Sequence, residues 1–144
     1  MRDTDYLLRI VLRVLGTSTG LAVFAVFLPE TAMAGIHRWL GLGDLPSAPI
    51  VGYLARSTSA FYALLGGLLW VFSFDVRRYR SALIYLGGAF LVFGIVLLFI
   101  DWREGLPAWW TLWEFFVDCV FGSTILWLAR RLEPGASQDP AARD

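Results

Sequence analysis

Glu114 and Asp118 lie four residues apart inside an otherwise apolar run, 109–131, that reads WWTLWEFFVDCVFGSTILWLARR. On a helix that spacing puts both carboxylates on one face, and Gly122 continues the same face. A charge near the middle of a bilayer costs roughly 2.5–3.5 kcal/mol on insertion scales, so such groups face a partner or a wet cavity. The chemistry open to them is pairing with a buried cation, holding a polar or anionic head group together with that cation, or relaying protons.

Arg56 is the cation the sequence offers. In the run 50–74, Arg56, Ser59, Ala63 and Gly67 fall three and four residues apart. The charge therefore shares a face with small residues, the kind of face on which membrane helices approach closely. Arg56 lies about 9 Å into its run at helical rise, Glu114 at a similar depth from the same side, and Asp118 one turn deeper. The expected constellation sets the guanidinium fork of Arg56 between the two carboxylates. Tyr53, Ser57, Ser59 and Tyr62 add hydrogen-bonding groups, Thr17 and Thr19 add more from the first run, and His37 and Asp101 roof the site. Two readings stay open. One is an ion network that fixes helix register with nothing bound; the other is a small polar pocket opening outward.

Other chemistries find no support in the residues. One histidine cannot supply the two axial imidazoles of a transmembrane haem. Two acids with that histidine suit no particular metal ion. There is no phosphate loop, nucleophile elbow or dinucleotide fingerprint. The single Cys119 forms neither an internal disulfide nor a C-x-x-C pair, and reads as a small packing residue. No catalytic residue, metal ligand, cofactor or nucleic-acid contact is assigned.

The elements that must position these side chains follow from hydropathy. Of 144 residues, 58% are hydrophobic and 17% charged, with mean hydropathy +0.63, well beyond a soluble domain. The expected fold is all-α: an integral membrane antiparallel four-transmembrane-helix bundle. A short amphipathic interfacial helix sits between the first and second spans. Four spans of bilayer length are expected at about 6–28, 50–74, 81–100 and 109–131. They form one domain over 1–131, followed by a flexible Pro/Gly/Ala-rich tail over 132–144. Pro29 ends the first span. Its apolar run with Ala32-Met33-Ala34 imitates a secretory signal, but it is long for one and is expected to be retained. Within 30–49, Met33, Ile36, Trp39 and Leu40 fall at helical spacing opposite His37 and Arg38, the pattern of a helix lying on a membrane surface. Gly16-x-x-x-Gly20 is a helix-contact motif.

Orientation follows from arginine, since the chain has no lysine. Arg2, Arg9, Arg13, Arg77, Arg78, Arg80, Arg130 and Arg131 fall on one side of four alternating spans, and only Arg38, Arg56 and Arg103 on the other. The positive-inside rule then places both termini and the 75–80 turn on the cytoplasmic side of the membrane.

The stretch LARSTSAFYALLGG around Arg56, the D-x-x-x-G-x-P turn DWREGLP and the acid in LWEFF resemble small bacterial DoxX-like membrane proteins. The resemblance covers roughly 53–128 and implies that Arg56, Asp101 and Glu114 are the positions of interest. It also implies the role of some such proteins, as accessory subunits of redox or respiratory assemblies. Asp118 and the insert 30–49 lie outside that pattern.

Three functions are compatible with this reading. The leading one is a non-enzymatic accessory or assembly subunit, with the bilayer and membrane proteins or a second copy as partners. The second is a binder or carrier of a small polar or lipidic ligand around Arg56, Glu114 and Asp118. The third is a membrane enzyme using the acid pair for proton transfer.

Overall fold

Four helices long and apolar enough to cross a membrane are the framework of the computed structural model, which describes residues 2–132. The helices are α1 (Arg2–Gly20), the single turn α2 (Val23–Val26), α3 (Glu30–Trp39), α4 (Pro49–Phe74), α5 (Arg80–Glu104) and α6 (Ala108–Arg131). The tail expected after 131 lies outside the described residues apart from Leu132. Leu132 is buried, and its carbonyl accepts a 2.9 Å hydrogen bond from Arg80 Nε.

The first span is not one continuous helix. Thr19 Oγ1 bonds back to the carbonyls of Leu15 and Gly16 at 2.9 and 3.4 Å, and the backbone turns just after Gly20. A side chain that competes for main-chain carbonyls next to a glycine weakens the helical ladder at that point. The third span differs at its far end. It was expected to stop near 100, but α5 runs on to Glu104, because 101–104 contain no breaker. Gly105, with φ +72°, closes it and donates to the carbonyls of Asp101 and Trp102, while Leu106 N–H also returns to Asp101. This left-handed glycine cap ends the helix one turn later than hydropathy does. Pro107 and Pro49 each start the next long helix.

Two tight helix pairs carry the packing. Against α1, α4 approaches backbone to backbone: a Cβ on Gly66 would lie 2.6 Å from both the Gly16 carbonyl oxygen and the Gly20 nitrogen. The 16/20 motif is thus a real contact. Its partner on α4 is Gly66, not the Gly67 of the anticipated small-residue face, which points into open space. Against α6, α5 approaches where Gly87 meets Leu126 and Gly122, and again where Gly94 meets Asp118. Along both pairs, residue numbers rise on one helix as they fall on the other. The pairs join chiefly where α1 touches α6.

The core is lopsided. All ten buried apolar residues lie toward the end that carries the N-terminus and the 75–79 turn: Leu8, Leu12 and Leu15 from α1, Leu69 and Val76, Leu83 from α5, and Ile125, Leu128, Ala129 and Leu132. Arginines finish this basic end. Arg77 Nε contacts Asp5 at 2.7 Å, and Arg80 reaches the carbonyls of Arg130 and Leu132. Arg13 donates to Ser73 and stacks 5.2 Å over Trp70, whose indole donates to Thr17. Toward the opposite end, the buried residues of α5 and α6 among those described are Gly94, Asp101 and Thr111.

Candidate functional site

The charged residues expected to meet are divided between two places. Arg56 turns toward the chain end of the first span: its Nη2 donates to the Leu28 carbonyl at 3.3 Å. A Cβ on Gly52 would lie 2.9 Å from Arg56 Nη1 and 3.7 Å from Glu30 Oε1, so these two charged groups share one small area. Among the described residues no ion pair within 4 Å joins Arg56 to Glu114 or Asp118. The expected three-residue network is therefore corrected. The physical reason is lateral: α4 packs mainly on α1 and α2, not on α6, so equal depth on two helices does not bring their side chains together.

The acids converge with a different partner. Glu114 is within hydrogen-bonding reach of the Asp101 carboxyl and the Trp110 indole, and lies near Asp118. Asp101 is 3% exposed, drawn in because α5 continues past it. Its Oδ2 is buried with no hydrogen-bond partner. Asp118 packs its Cβ over Gly94, where a glycine Cβ would come within 3.0 Å. From α4, Tyr62 is half-buried and in electrostatic range of both Glu114 and Asp118. Asp101, Asp118 and Tyr62, all candidates from the sequence, thus lie within electrostatic range of Glu114, and Arg56 does not join them.

The remaining expected members lie elsewhere. Tyr53 is exposed. Ser59 Oγ donates to the Ala55 carbonyl at 2.8 Å and Ser57 to Leu54, so both are spent within their own helix. His37 does not roof the acids: its Nδ1 pairs with the Gly43 carbonyl at 3.0 Å, in the loop that Gly41 and Gly43 form at positive φ. Arg38 pairs with Asp44 at 3.6 Å on the surface. Trp110 is the residue that sequence reading missed. Its spacing of four from Glu114 was the available signal. Among the described residues, no group of three or more His, Cys, Asp or Glu could hold a metal ion.

Two concavities are lined by none of the acid cluster. One, of about 230 Å³, lies under α3 and is lined by Glu30, Met33, Pro46 and Gly52. The other is an open groove of about 620 Å³ along α5 and the end of α6, lined by Tyr85, Gly88, Ala89, Val92, Phe93 and Arg130. No family model, curated protein or solved structure matches the chain.

Proposed function

We propose that the chain is a non-enzymatic multi-pass protein of a bacterial inner membrane, serving as an accessory or assembly subunit of a larger membrane complex. In this reading the four long helices cross the bilayer as an antiparallel bundle. Both termini and the 75–79 turn are cytoplasmic, because arginines gather at that end, and α3 lies on the outer surface. The DoxX-like resemblance at Arg56, Asp101 and Glu114 agrees with an accessory role.

The observation that carries the reading is the groove on α5. Gly87 is used inside, against α6, but its neighbour Gly88 faces open space. With Ala89, Val92, Tyr85 and Phe93 it lines the groove. An outward small residue lets a second helix approach closely, and van der Waals packing of that kind drives helix association in lipid. The charged residues, by contrast, are divided: Arg56 turns to the Leu28 carbonyl, and Glu114 lies beside Asp101.

Purification in mild detergent tests the proposal, with Gly88→Leu as the comparison. A Cβ at 88 meets nothing within 4 Å, so the variant is expected to fold. A stoichiometric membrane-protein partner is expected with the wild type and its loss with the variant at unchanged melting temperature. A partner-free wild type would refute it.

A further inference from the structure

Asp101 Oδ2 is a buried acceptor that no N–H or O–H group among the described residues reaches. Such atoms are rare in native proteins, and each one calls for an occupant. Asp101 is 3% exposed and stands in the last turn of α5, where the carbonyl end of the helix disfavours added negative charge. The group beside it is the Glu114 carboxyl, a second acid with no proton donor of its own when ionised. Two ionised carboxyls in contact in a low-dielectric site, without a cation, form the costliest state available to the pair.

The groups that face the pair leave one economical occupant. From α6 come Asp118, another acid, and the Trp110 indole, which offers its single N–H toward Glu114. From α4 comes Tyr62, and Arg56 on the same helix is turned away to the Leu28 carbonyl. Arg103 and Glu104, in the same turn of α5 as Asp101, are exposed. Two carboxyls are too few ligands for an ordinary divalent-ion site. A single proton satisfies both: bonded to one oxygen, it is donated to the other.

We propose that Asp101 and Glu114 are a proton-binding pair, holding one proton between them at the α3 end of the α5–α6 pair. The carboxyl–carboxylate unit carries one negative charge in place of two. Binding adds one proton and release returns it, with no bond to carbon made or broken. Tyr62 and Asp118 are the other titratable groups within electrostatic range of Glu114. The site is independent of the groove on α5 and stands or falls separately from the accessory role.

The test is infrared spectroscopy of the purified full chain in detergent at neutral pH, in water and in deuterium oxide. The wild type is expected to show the carbonyl stretch of one protonated carboxylic acid, shifted by deuterium. Asp101→Asn and Glu114→Gln should each abolish it, because the amide supplies the missing donor and the remaining carboxyl ionises. Asp118→Asn should leave it in place. No such band in the wild type, or a band that survives either amide substitution, overturns the proposal. Loss of the wild-type band on adding sodium or calcium overturns it too, by making the pair a metal site. Should the variants fail to fold, dicyclohexylcarbodiimide, which attacks protonated carboxyls in apolar surroundings, serves on the wild type. A mass-mapped adduct on Asp101 or Glu114 is expected, and an adduct elsewhere or none at all overturns the proposal.

Discussion

Adjacent glycines on α4 should respond to the same substitution with opposite signs. Gly66 faces α1, and a methyl there would sit 2.6 Å from the Gly16 carbonyl oxygen and the Gly20 nitrogen and 2.8 Å from the Gly20 Cα. All three are backbone atoms, so no side chain can swing aside. Ordinary contact needs about 3.5 Å, and α1 must recede by almost 1 Å along its whole contact. Inserting one methyl group into a well-packed site typically costs about 1–3 kcal/mol. The atoms it meets are backbone and Leu69, one turn along, is fully buried in the core, so the shift cannot be absorbed locally and Gly66→Ala belongs at the upper end of the range. Gly67 points into open space, and Gly67→Ala loses no contact while gaining helix propensity, up to about 1 kcal/mol. The assay is equilibrium unfolding in mixed micelles, each variant read against wild type. Gly66→Ala at or above wild-type stability would show that the α1–α4 contact is looser than 2.6 Å. Equal effects at 66 and 67 would show that the wrong face of α4 has been assigned to α1.

The other expectations concern charge and placement. Arg56→Met should lose a charge-assisted bond to the Leu28 carbonyl, about 1.5–3 kcal/mol. Combined with Asp118→Asn the losses should add within about 0.5 kcal/mol, since the two do not meet; a larger coupling energy would restore the ion pair that the structure separates. Trp39 is 83% exposed in the protein, so with α3 on the bilayer its fluorescence should be quenched by lipid-borne quenchers and spared by aqueous ones. Free access from water would make 30–49 an ordinary loop. A reporter fused after Leu132 should be active only in its cytoplasmic form, and periplasmic activity would invert the topology.

What could be read from the residues and what could not divides along a physical line. The four long helices were legible because apolar runs of bilayer length are bounded by Pro29, Pro49 and Pro107, and those breakers act locally. The end of α5 was misplaced because 101–104 carry three charged residues yet no breaker before Gly105. Polarity alone does not stop a helix. The longer helix carries Asp101, expected in a turn that roofs the site, into the buried last turn of α5. Depth along each run can also be read from sequence, and it puts Arg56 and Glu114 in one expected layer without saying whether their helices are neighbours. Which helices are lateral neighbours is not a property of any single run. It is decided by close approaches such as Gly16 with Gly66 and Gly87 with Gly122. The small-residue face of α4 was one residue out for the same reason: Gly66 and Gly67 are equal as sequence, and only the position of α1 distinguishes them.

The accessory-subunit reading rests on what occupies the α5 groove, and photocrosslinking from inside it is the direct measurement. A photoreactive residue in place of Val92, which lines the groove and is 62% exposed, would be activated in cells making the full chain. The expected result is one discrete adduct with a different membrane protein, abolished when Gly88→Leu fills the groove. Adducts with lipid alone, or with a second copy alone, or one indifferent to Gly88→Leu, would contradict it.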